Sequence, residues 1–126
     1  MAYGDTGGTI TELVVTCETP ATGTVAISKG DAVKLTGNYT VDNATDAEDT
    51  VVGQALADST TNSQAIPVRM RGVCVFTYTG TAPTVDGQTG IVASDTDGAV
   101  KAPASGAGVG INLKVDTSTT KVHVLL

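Results

Sequence analysis

One imidazole, two thiols and thirteen carboxylates are the side chains of this 126-residue sequence in which a general base, a thiol nucleophile or a metal site would first be sought. His123 stands between Val122 and Val124, where a strand period of two turns it to the face opposite both valines. It reads as a strand-face histidine with solvent or a local partner rather than as a general base. Cys17 and Cys74 lie inside β-branched runs with no adjacent base, so both read as small core residues, not activated nucleophiles. Asp95-Thr96-Asp97-Gly98 resembles the opening of a calcium loop, and Asp42, Asp46, Glu48 and Asp49 could offer oxygens to a hard cation. Neither group has the spaced downstream Glu of an EF-hand loop, and turn chemistry and solubility account for both. Gly106-Ala107-Gly108-Val109-Gly110 lacks the following Lys-Ser/Thr, or a helix, that would cradle phosphate. The expectation is a protein that is not an enzyme, with no catalytic residues, no metal site and no cofactor.

The elements around these residues read as strands. Residues 1–9 are polar and Gly-rich, with Tyr3 as the one anchor, and read as a flexible arm. Order is expected from Ile10, in a strand over Ile10 to Glu18 whose Leu13, Val15 and Cys17 share a face and which Pro20 ends. Val25 to Ile27 and Asp31 to Leu35 follow, separated by a turn at Lys29-Gly30. The acidic stretch Asp42 to Asp49 reads as a solvated loop. Val51 to Ala57 admits a short helix, but Gly53 and the valines lower helix propensity and the Ser-Thr-Thr-Asn-Ser turn after it favours a hairpin. Its return, Ala65 to Tyr78, needs the break offered by Arg71-Gly72, and Pro67 implies an edge or bulge position. Gly90 to Ala93 and Ala99 to Ala102 pair across a two-residue Asp97-Gly98 turn, and Val109 to Val115 pairs with Lys121 to Leu126.

Composition narrows the class further. With no Trp, one Phe and three Tyr, but many Thr, Val and Ala, the core must be built from small, mostly β-branched side chains, which favours a thin β structure. A net charge of −6 with scattered Lys and Arg excludes a nucleic-acid partner, because phosphate binding needs clustered cations. No apolar run approaches the roughly 20 residues of a membrane span, and the N-terminus has neither a basic nor an apolar leader region. The chain is expected to be made in the cytosol, where Cys17 and Cys74 stay reduced, and the sequons at Asn38 and Asn43 are idle.

A clause also recurs 57 residues apart: Thr22-Gly23-Thr24 as Thr79-Gly80-Thr81, Gly30 as Gly87, Val52-Gly53 as Val109-Gly110, Leu56 as Leu113, and Thr60 as Thr117. Self-similarity at a fixed offset is the mark of a repeated supersecondary unit. The expected fold is all-β: a small single-domain β-barrel or β-sandwich over residues 10–126, from two duplicated β units at 22–69 and 79–126, behind the arm of residues 1–9.

Three runs carry a family resemblance: Lys29-Gly30-Asp31-Ala32-Val33, Val51-Val52-Gly53-Gln54-Ala55-Leu56-Ala57-Asp58, and Ile66-Pro67-Val68-Arg69-Met70-Arg71-Gly72-Val73. Together with Asp97-Gly98-Ala99-Val100 and the closing strand, they resemble the capsid decoration, or cement, proteins of tailed bacteriophages. The resemblance covers about residues 24–126 in short, low-complexity motifs. It implies a β-barrel-like structural virion protein, made in the bacterial host cytoplasm, that binds the outer surface of an expanded HK97-type capsid as homotrimers. There it would stabilise the shell by bridging neighbouring capsomers. Its partner would be the major capsid protein, with no nucleic acid and no membrane involved. By analogy with decoration proteins whose N-terminal arms pair with a capsid strand, the contact would lie within residues 2–16, at Ala2, Tyr3, Thr9, Ile10, Thr11, Leu13 and Val14. The alternative is a phage tail or cell-surface adhesin, a carbohydrate-binding β module, which would need Tyr39 and Tyr78 brought together as an exposed aromatic cluster.

Overall fold

Short β-branched runs punctuated by Gly, Asp and Asn give ten strands in the computed structural model, which describes residues 12–126. They are β1 (Leu13–Glu18), β2 (Ala32–Gly37), β3 (Thr40–Asn43), β4 (Gly53–Ala55), β5 (Ala65–Arg71), β6 (Val73–Thr77), β7 (Val92–Ala93), β8 (Val100–Lys101), β9 (Ile111–Asp116) and β10 (Lys121–Leu125). No helix occurs among the described residues, and the chain is a small all-β domain. The first five strands close into a barrel in the order β1-β3-β2-β4-β5, sealed by β1 against β5. β6, β10 and β9 form a three-stranded sheet with β10 in the middle, and β7 and β8 form a two-stranded one.

The pairing scheme of the barrel recurs in the second half. Antiparallel pairs β1·β5, β2·β3 and β4·β5 are matched by β6·β10, β7·β8 and β9·β10. The parallel contact of Glu18 with Thr40 is matched by a parallel bridge from Tyr78 to Val100, and the pair β2·β4 by an antiparallel bridge from Ile91 to Val109. Each half also has its own core. Cys17 is buried with Val33, Val41, Ile66 and Val68, whereas Cys74, 57 residues on, is buried with Phe76, Ile91, Val122 and Val124. Ala32, Ala44 and Val51 come from the first half but pack in the second core, so that core is built from both halves.

Several sequence expectations change. Pro67 is not at an edge, because β5 is flanked by β1 and β4. The Pro67 carbonyl accepts from the Leu56 N–H at 3.0 Å, one residue beyond the end of β4, so the one ladder bond that a proline cannot donate falls where that pairing ends. Val25 to Ile27 forms no strand but one bridge, Ile27 to Ser59. Residues 53–55, by contrast, form the strand of the favoured hairpin, antiparallel to β5, rather than the short helix that the run also admitted. The turn between β7 and β8 spans four residues rather than two, since Ser94 N–H already donates to Ala99 O at 3.1 Å. The break at Arg71-Gly72 is present, with Gly72 at φ +123°, a conformation that side chains with a Cβ rarely adopt.

Candidate functional site

Leu13 and Val14, the two expected contact residues within the described structure, open β1 and stand 51% and 45% exposed. They pair with Arg71 and Arg69, and a register shift between them keeps both side chains out of the core. Glu12 holds this end in place, its carboxylate accepting from Arg69 Nε at 2.7 Å. Ala2, Tyr3, Thr9, Ile10 and Thr11, and the arm of residues 1–9 as a whole, lie outside the described residues.

Strand β1 gives one edge to β5 along its whole length. On the other edge only its last residue is paired: Glu18 opposes Thr40, and its N–H donates to Tyr39 O at 2.8 Å. Among the described residues, the edge from Leu13 to Cys17 has no strand partner. A cleft of about 720 Å³ runs beside it, lined by Val15, Cys17, Leu35, Tyr39 and Met70 along with Gly37 and Asn38. Leu35 and Tyr39 are 54% and 72% exposed, so apolar surface is held in solvent at its rim. An open edge beside an apolar cleft is the geometry that strand addition uses: free main-chain N–H and C=O groups provide the ladder and the cleft receives alternate side chains.

The reactive groups do not converge. His123, half-buried on β10, has Val75 and Lys114 as cross-strand neighbours. Cys17 and Cys74 are free thiols in separate cores, and burial raises the pKa of each. The acidic stretch is more structural than a solvated loop. Lys34 Nζ donates to Asp46 at 3.2 Å and Asp49 at 3.0 Å, while Glu48 accepts from Lys101 Nζ at 2.7 Å and from the Ala104 N–H at 2.8 Å. Main-chain bonds Glu48 N–H to Ala93 O and Ala93 N–H to Asp49 O tie the same stretch to β7. Asp31 and Asp97 flank a smaller cleft of about 270 Å³ with Lys29 and Lys121, and burial raises the Asp31 pKa with Asp97 and Asp58 adding to it. Among the described residues, no group of three or more His, Cys, Asp or Glu is placed to hold a metal.

Tyr39 and Tyr78 do not meet as an exposed platform, because Tyr78 is only 6% exposed and packs in the second core. A second apolar surface went unread in the sequence. On the outward face of the β6-β10-β9 sheet, Val73, Val75, Ile111, Leu113 and Leu125 are 37%, 41%, 42%, 47% and 39% exposed. The signal was there in Val73-Cys74-Val75-Phe76: an unbroken apolar run on a sheet with one face inward must show half its side chains to solvent. No protein-family model matches the chain, and no curated protein matches it.

Proposed function

We propose that this chain is a structural virion protein, a capsid decoration module that binds the outside of an expanded phage shell and bridges neighbouring capsomers. The observation that carries the reading is the unpartnered β1 edge beside the apolar cleft, at the strand whose Leu13 and Val14 the family resemblance points to. An extended segment of the major capsid protein adds there as a strand, its main chain pairing with Leu13 to Cys17 and its alternate side chains entering between Val15, Leu35, Tyr39 and Met70. Within this reading the chain is two copies of one five-stranded unit, as the recurring pairing scheme supports, and the residues before Glu12 extend the contact surface. Homotrimers at threefold positions multiply a modest single contact by effective concentration, without any one contact being strong. The adhesin alternative loses its aromatic platform with Tyr78 in the core.

Co-sedimentation with expanded, undecorated shells and with unexpanded ones tests this. Saturable binding to expanded shells is expected, weakened at least tenfold by Leu35→Asp/Tyr39→Asp, which alters only exposed positions. Absence of binding to either shell, or binding untouched by these substitutions, overturns it.

A further inference from the structure

The two halves of the chain follow one strand scheme but dress the same face differently. The pair Thr16 and Pro67 on β1 and β5 corresponds to Val73 and Leu125 on β6 and β10, and the pair Glu18 and Ala65 to Val75 and His123. Gln54 on β4 corresponds to Ile111 on β9, 57 residues on. The first half therefore folds with exposed Thr16 and Glu18 where the second half shows Val73 and Val75, and with a buried Gln54 where Ile111 is exposed, while Pro67 and Leu56 stand where Leu125 and Leu113 do. The fold does not require aliphatic side chains at Val73 and Val75, and a cluster of this kind on a small domain marks an interaction site.

Charge around this face identifies what fits it. Lys114 lies beside His123, Arg71 stands two residues before Val73, and neither Lys114 nor Arg71 has a salt bridge among the described residues. Lys121, at the far end, borders the cleft it shares with Lys29, Asp31 and Asp97. The sheet's own carboxylate, Asp116, is taken up by Ser118 and Thr119. The inward side chains Cys74, Phe76, Val122 and Val124 pack against Ala44, Val51 and Ala93, so residues 42–51 and β7 lie across the core from the apolar face. That far side carries Asp42, Asp46, Glu48, Asp49 and Asp95 against Lys34 and Lys101.

We propose that the β6-β10-β9 face docks a second copy of this chain head to tail, its aliphatic surface and cationic border meeting the acidic 42–49 side of the neighbour. A twofold face-to-face contact would bring the cationic border with Lys114 and Arg71 onto the same border of the partner copy. The head-to-tail contact sets them against carboxylates, and like-charge juxtaposition is the more costly arrangement. Head-to-tail contacts that close give rings. The inference deepens the proposed function, and rests on that reading only for closure at three copies.

Sedimentation velocity and light scattering of the full chain over a roughly hundredfold concentration range test it. Wild type is expected to reach a three-copy mass. Val75→Glu/Leu113→Glu, both at exposed positions, is expected to need at least tenfold higher concentration to associate, with an unchanged circular-dichroism spectrum and melting curve. Asp46→Lys/Asp95→Lys is expected to behave the same way. Mixing the two variants restores one intact contact and so is expected to give two-copy species. A wild type that stays monomeric throughout, a face variant that associates like wild type, or a mixture that remains monomeric overturns the inference. Shell binding separates the two proposals: a trimer that ignores expanded shells removes the capsid reading alone, and a monomer that binds them removes this interface alone.

Discussion

Gln54 is a buried polar side chain through which the first barrel grips the second half of the chain. It is 6% exposed, its Nε2 donates to Val75 O at 2.8 Å and to Gly30 O at 3.2 Å, and its Oε1 accepts from Arg69 Nη1 at 3.1 Å. Val75 lies on β6, whose edge on that side has no other named strand, so Gln54 also covers a sheet edge. Gln54→Leu keeps the volume and removes all three bonds. A carbonyl left unpaired out of water costs about 1–3 kcal/mol. Gly30 is half-buried and recovers some hydration, and the Arg69 guanidinium keeps Glu12, so the loss expected is about 2–4 kcal/mol. At an m-value of about 2 kcal/mol/M, the urea midpoint falls by roughly 1–2 M. Gln54→Glu retains the Arg69 contact but turns a carboxylate oxygen toward the Val75 carbonyl, and is expected to lose at least as much. Equilibrium urea unfolding followed by circular dichroism measures both, with equal slopes required for the comparison. A change below about 0.5 kcal/mol for Gln54→Leu would refute the reasoning, because it would mean that those carbonyls find other partners.

Phe76 is fully buried and heads the largest side chains of the second core, so Phe76→Ala is expected to cost about 3–5 kcal/mol in the same assay; a loss under about 1 kcal/mol would mean the core collapses around the gap. Hydrogen bonds from Ser118 and Thr119 hold the Asp116 carboxyl down to about 2 from its ordinary 3.8. Its contribution is therefore present above the ordinary value and lost as pH falls from about 4 to about 2, and the stability gap between wild type and Asp116→Ala should narrow over that window. A gap unchanged across it counts against the turn being held by the carboxylate. Both thiols are buried with raised pKa, so iodoacetamide should label Cys17 and Cys74 slowly in the native protein and rapidly in urea, read by mass spectrometry; fast native labelling of Cys74 would contradict its place in the core.

Much of the strand plan was readable because it depends on local chemistry. The β9-β10 hairpin follows from alternation on both sides of an Asp-Thr-Ser-Thr-Thr turn, and the break between β5 and β6 from a glycine set where the backbone needs a positive φ. Pro67 was misplaced because its tolerance depends on where a neighbouring strand ends, which no residue near it records. The repeat was found from Thr22 onward, yet the pairing scheme begins at β1 and β6. Those strands share little beyond Cys17 and Cys74, since their buried positions serve the same packing while their outward ones meet different surroundings. At the candidate site, alternation alone would bury one of Leu13 and Val14; the register shift that exposes both is a tertiary feature. Likewise the sequence offered Tyr39 and Tyr78 as equals, and only the folded chain separates a rim residue from a core residue.

Electron cryo-microscopy of expanded, undecorated shells incubated with the purified protein tests the decoration reading most directly. The expected result is added density of this domain's size on the outer surface at threefold and quasi-threefold positions, with β1 and the Leu35–Tyr39 rim turned toward the shell. Difference maps without added density at saturating protein, or density in which that edge faces solvent, would contradict it.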